Sequence, residues 1–110
     1  MATADPDRPH IFVSYASADR ERMTPVVGAL ERAGVRVWVD HSGIPGGASY
    51  GREIVTAIRG STVLLLCCSA AAFASRNVRQ EVALAWKHER PILPLLLEPV
   101  EIPDLSLIHI

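Results

Sequence analysis

Short apolar, β-branched runs alternate along this chain with longer segments in which apolar residues return at helical intervals. Such alternation marks βαβ units, because a strand buried on both faces reads as a near-continuous apolar run while its covering helix shows a single stripe. Residues 11–15 predict a first strand. Met23, Val26, Val27, Leu30 and Ala33 then recur with helical spacing up to Gly34, a residue suited to the left-handed position that closes a helix. Pro25 leaves two readings open: a kink within a helix begun near Ser17 or Asp19, or the first residue of a helix capped by Thr24.

Residues 35–39 predict a second strand, and 40–49 a Gly-rich loop containing Pro45. Ten residues are long for a connection in this architecture, which makes the loop a functional candidate on length alone. Ile54, Val55 and Ile58 share one face of a helix that ends at Gly60, and the apolar run 62–68 suits a central strand. Ser75 is placed to cap a third helix, where Val78, Val82, Ala85 and Trp86 make a stripe bordered by Glu81. Trp38 and Trp86 read as core residues. Residues 91–97 predict another strand, 98–104 a loop, and 105–110 a last strand with no helix after it. The economical arrangement is α/β: a flavodoxin-like doubly wound parallel sheet in the order 2-1-3-4-5, lacking its last helix. A tail over 1–9 precedes a single domain over 10–110.

Composition narrows the function. A chain of 110 residues with 49% apolar and 21% charged residues supports one core, and a net charge of -1 lacks the basic footprint of sequence-independent nucleic-acid binding. No nucleic-acid partner is expected. Cys67 and Cys68 are adjacent, so they neither staple distant segments nor complete a zinc cage; they read as buried thiols in a reducing compartment. His10, His41, His88 and His109 lack ligand spacing, and no metal is expected. The tail has no apolar core of a secretory signal and no segment reaches membrane-spanning length, so the expectation is a cytoplasmic protein without a membrane partner.

Two motifs in the loop region mislead. Gly47-Ala48-Ser49-Tyr50-Gly51 matches the pattern of a nucleophile elbow, but the strand that must run directly into the turn is missing. The run 46–53 imitates a phosphate-binding loop, yet Arg52 and Glu53 stand where Lys and Ser or Thr are needed.

A longer pattern is more informative. The segment from Ile11 through Ser14, Tyr15, Ala16 and Ser17 to Asp19 resembles the opening of TIR domains, and Val35 to Asp40 resembles their second strand with its terminal Asp. Ile44-Pro45-Gly46-Gly47, then Ser49-Tyr50 and Glu53-Ile54, resembles the loop and helix that follow. Leu64 to Ser69, and Ala74 to Ala83 with Glu81, resembles the third strand and the Glu-bearing helix. In order and spacing the match is to a TIR domain of bacterial type.

The resemblance implies one of two uses: a glycohydrolase or cyclase reaction that splits NAD+ into nicotinamide and a linear or cyclic ADP-ribose product, activated by self-assembly in signalling or defence, or non-enzymatic adaptor function through TIR-TIR contacts. NAD+ is then a substrate, no cofactor is required, and homotypic TIR domains are the partners. It implies Glu81 as the catalytic residue and Ser14, Tyr15, Ser17, Asp40, Ser69 and Asn77 as substrate-binding positions. Gly43, Ile44, Pro45, Gly46 and Gly47 fall in the gating or assembly loop. Asn77 departs from the Trp that many bacterial and plant members carry four residues before this Glu.

The chemistry is coherent with those residues. Breaking the nicotinamide-ribose bond builds positive charge on the sugar while nicotinamide leaves neutral, so no general acid is needed. One ionised carboxylate beside the ribose supplies electrostatic stabilisation, where ordinary glycosidases need two carboxyl groups. The bland alternative for Glu81 is an exposed helix residue paired with Arg76, Arg79 or Arg90; for Asp40 and Ser69 it is loop capping.

Overall fold

Apolar alternation in the first strand dictates the layering of the whole molecule. In the computed structural model, which describes residues 10–39 and 47–101, with side chains of the second helix described from 54 onward, β1 (His10–Ser14) lies between β2 (Arg36–Val39) and β3 (Val63–Cys68). β4 (Ile92–Leu96) pairs with the far side of β3, and all pairings are parallel in the order β2-β1-β3-β4. The described strands follow the expected order. The anticipated strand over 105–110, the tail 1–9 and the loop residues 40–46 lie outside the described residues.

Because successive side chains of a strand point to opposite faces, β1 splits its residues between two cores. Phe12 and Ala16 join Leu64, Leu66 and Cys68 beneath the second helix, α2 (Gly47–Gly60), and a later helix, α4 (Arg76–Lys87). Val13 joins Leu65 and Cys67 beneath the first helix, α1 (Arg20–Arg32), through its Met23. Phe12 also stacks on Trp38 with ring centroids 5.0 Å apart, an offset pairing of the kind that adds about 0.5–1.5 kcal/mol beyond burial.

The first helix resolves the question posed by Pro25. A 3-10 turn at Ser17–Asp19 leads into α1, and Pro25 lies inside it. The Thr24 hydroxyl does not cap this helix; it donates back to the Arg20 carbonyl at 3.2 Å. At the other end Gly34 takes φ +88°, Val35 N–H reaches the Leu30 carbonyl and Gly34 N–H the Glu31 carbonyl, which together form a Schellman closure.

Three expectations need correction. Gly47 belongs to α2 as its first residue, not to the preceding loop, so the segment 47–51 is helical and provides no strand-to-turn elbow. A one-turn helix, α3 (Ala70–Ala74), follows β3 and was not anticipated. In α4 the buried positions are Val78, Glu81, Val82 and Ala85, while Trp86 is 44% exposed. The helix is thus rotated relative to the expected stripe: with Val78, Val82 and Ala85 buried, the carboxylate takes the inward i+3 position and the indole turns outward.

Candidate functional site

Ligands in open parallel sheets bind outside the carboxyl ends of the strands, where the following helices begin. Ser14 is the last residue of β1, and Leu66 of β3 is its partner in register. Alternation places Ser14 in the same layer as Phe12 and Ala16, facing α4. There its Oγ donates to Glu81 Oε1 at 2.6 Å. Ser14 is completely buried and Glu81 is 2% exposed.

The contact gives the Glu81 carboxyl a polar partner inside a largely apolar layer. Burying such a group costs several kcal/mol unless it is hydrogen-bonded, and a hydrogen bond to a charged group returns about 1.5–3 kcal/mol. Glu81 sits six residues into α4, whose N-terminus is capped by Ser75 Oγ accepting from Val78 N–H at 3.2 Å. That cap fixes the start of the helix, and the burial of Val78, Val82 and Ala85 fixes its rotation. The carboxylate therefore points inward toward the carboxyl end of β1, not outward to the arginines of its own helix.

A second polar cluster occupies the same sheet edge on the α1 side. Asp19, 4% exposed, accepts from the Ser69 hydroxyl at 2.5 Å, and Ser69 Oγ in turn accepts from Ala72 N–H as the cap of α3. Arg22 lies 3.6 Å from Asp19 and 2.8 Å from Glu98, and it also donates to the Leu97 carbonyl at 3.3 Å. The other Glu98 oxygen accepts Ala70 N–H at 3.0 Å. These contacts hold the Glu98 carboxyl below the usual carboxylate range, first through the Ala70 amide and then through Arg22. The cluster ties α1, the start of α3 and the segment after β4 into one brace.

The structure thus sorts the sequence-derived candidates. Ser14 and Glu81 are brought together. Tyr15 alternates to the other face, where with Met23, Val27, Val37 and Val39 it lines a groove of about 520 Å³ beside α1. Ser69 joins Asp19 and caps α3, the blander of its two readings. Ser17 and Asn77 are exposed, on the 3-10 turn and in the first turn of α4. Asp40, Gly43, Ile44, Pro45 and Gly46 lie outside the described residues. Sequence reasoning missed Asp19, Arg22 and Glu98 as a unit. It also missed the burial of Glu81, although Val78, Glu81, Val82 and Ala85 spell the i, i+3, i+4, i+7 stripe as plainly as the alternative did.

Among the described residues no three His, Cys, Asp or Glu side chains converge as a metal site, and no helix is long and apolar enough to cross a membrane.

A family model for the TIR domain matches residues 11–110. No curated protein matches the sequence at a significant level. Among solved structures, the TIR domain of the Toll-related receptor TRR-2 from the lower metazoan Hydra magnipapillata has a TM-score of 0.73 at 26% identity, over 84% of this chain and 74% of that one. The TIR domains of the activated Roq1 resistosome, which directly recognises the pathogen effector XopQ, reach 0.68 at 19% identity, over 84% and 59%. A 2-deoxyribosyltransferase from Bacillus psychrosaccharolyticus reaches 0.66 at 8% identity, over 91% and 90%. The last two likenesses are of fold alone.

Proposed function

The chain belongs to the TIR domain family, and from that premise we propose that it cleaves the nicotinamide-ribose bond of NAD+, with Glu81 as the catalytic carboxylate. The observation that carries this reading is the buried Glu81 side chain, held by Ser14 at the carboxyl end of β1. A carboxylate in a water-poor layer stabilises a developing ribosyl cation far more strongly than one in solvent, and it is already oriented when the charge appears. Nicotinamide leaves neutral with the electron pair of the broken bond, so no general acid is needed; water, or a nucleophilic atom of the same substrate in a cyclising reaction, then bonds to the ribosyl carbon, and water loses its extra proton to solvent. The shared fold of a 2-deoxyribosyltransferase adds only that another protein runs sugar transfer on the same scaffold; fold does not by itself assign function.

At 2% exposure Glu81 cannot touch a sugar without movement at the sheet edge. In this reading self-association of TIR domains supplies that opening, so activity rises with protein concentration. The test is nicotinamide release from NAD+ by the concentrated protein and by Glu81→Gln, which retains shape and loses charge. Release by the variant is expected to fall by at least about 100-fold, the scale for removing one preorganised electrostatic group. Equal release from both proteins rejects the role given to Glu81.

A second reading, a non-enzymatic adaptor, draws on three large apolar side chains of α4 and β4 that stand exposed: Trp86, Leu93 and Leu96. Leu93 and Leu96 alternate to opposite faces of β4, so what they offer an association is an apolar sheet edge and not a single face. Assembly at high concentration with no nicotinamide release at all would select it.

A further inference from the structure

We infer that Ser14 is a positioning residue for Glu81 and makes no contact with substrate. The inference rests on the glycohydrolase reading for its catalytic consequence, but its structural half stands on geometry alone. Ser14 is fully buried, and its hydroxyl is directed at Glu81 Oε1 from 2.6 Å, at the short end for an oxygen–oxygen hydrogen bond. Its single proton is committed to Glu81, so in a movement that uncovers the carboxylate the Ser14 hydroxyl has no donor left for a substrate.

Packed elements set both partners. Ser14 is held by the parallel ladder between β1 and β3, with Phe12 two residues before it and Ala16 two after it in the same buried layer. Glu81 is held by the stripe of α4. The hydroxyl thus fixes one carboxylate oxygen relative to the sheet, not merely to its own helix. Donation from a hydroxyl also favours the charged form of the acceptor, the form the proposed chemistry uses. Cys68, the titratable side chain that β3 sets in this layer, has its thiol pushed up by burial and stays uncharged beside the pair.

Deleting the hydroxyl should therefore lower turnover without weakening substrate binding. In Ser14→Ala, kcat for nicotinamide release is expected to fall about 10- to 100-fold while KM for NAD+ stays within about two-fold, and Ser14→Thr, which restores the hydroxyl, is expected to recover most of the loss. A raised KM at unchanged kcat would make Ser14 a substrate contact and overturn the inference. If Ser14→Ala does not fold, Ser14→Cys keeps the volume with a weaker donor and is expected to show the same split. An independent arm needs no substrate: the carboxyl carbon of Glu81, followed by NMR in labelled protein, is expected to titrate at higher pH in Ser14→Ala than in the wild type. An unmoved midpoint overturns the positioning role whether or not the protein turns over. A moved midpoint in a wild type as inactive as Glu81→Gln upholds the Ser14 contact and rejects the glycohydrolase reading instead.

Discussion

At the scale of single residues, the adjacent cysteines show how a strand treats two identical side chains. Cys67 and Cys68 are both fully buried but alternate into opposite cores, so they share a peptide bond and not a packing layer. Burial pushes the Cys67 thiol up to about 12, with Cys68 and Asp19 adding to it, and burial raises Cys68 as well. Because the thiolate is the reactive species, neither should react in the native protein. With Ellman's reagent at pH 8 the folded chain is expected to titrate near zero thiols and the guanidinium-unfolded chain two. Rapid reaction of either thiol in the native state would show that β3 is not the closed centre of the sheet.

The same scale shows where sequence reading stops. Ile11, Val13, Val37 and Leu65 announce strands by type and spacing alone, because each is needed only to be apolar. Ser14 and Glu81 are 67 residues apart, and Ser69 and Asp19 are 50 apart. Each pair makes sense only together, since a buried polar group is decided by its partner and not by local pattern. Their value was therefore invisible until topology set them side by side, and Glu81 entered as a candidate through family resemblance.

Among the secondary-structure elements, two helices end with the same closure built from different residues. α1 ends on Gly34 at φ +88°, while α4 ends on Glu89 at φ +58°, with Arg90 N–H bonded to the Ala85 carbonyl and Glu89 N–H to that of Trp86. A left-handed conformation costs a residue with a Cβ roughly 1 kcal/mol and costs glycine almost nothing. Gly34→Ala is thus expected to lose about 1 kcal/mol in urea unfolding even though a Cβ there meets no atom within 4 Å. Glu89→Gly is expected to gain a similar amount. Loss in both variants would show that contacts of the Glu89 side chain outweigh its backbone strain. The Gly34 closure was legible because glycine carries the signal; the Glu89 closure was not, because glutamate carries none. α3 was missed for a related reason: five residues are too few to show a period.

For the molecule as a whole, both resolved shifts with a bearing on acid stability have the same sign. His10 faces Arg36 across the β1–β2 register, and its pKa is lowered from 6.5 by burial first and by Arg36 second. The Glu98 carboxyl is lowered from 4.5 by the Ala70 amide and Arg22. In each case the unfolded chain binds the proton more readily, so the stabilisation is complete above the unfolded pKa and is lost as pH falls through the folded one. Melting temperature is expected to be flat between about pH 7 and 8, to fall at more alkaline pH as the unfolded chain ionises the buried thiols, and to decline in two stages on the acid side. The first starts near pH 6.5 and is absent from His10→Gln; the second starts below pH 4.5 and is smaller in Glu98→Gln. An unchanged first stage in His10→Gln would assign it to another group.

The sheet also keeps its two polar clusters in separate layers, with the Asp19 brace on one side and the Ser14–Glu81 pair on the other. The brace secures the architecture by joining α1 to the segment beyond β4. Replacing buried polar partners with well-packed apolar side chains of matching volume is often neutral or stabilising, so folding alone gives little reason to keep the pair. Hardening this protein against heat and preserving whatever it does at that edge are therefore opposed aims, and positions 14 and 81 are where the two would first come apart.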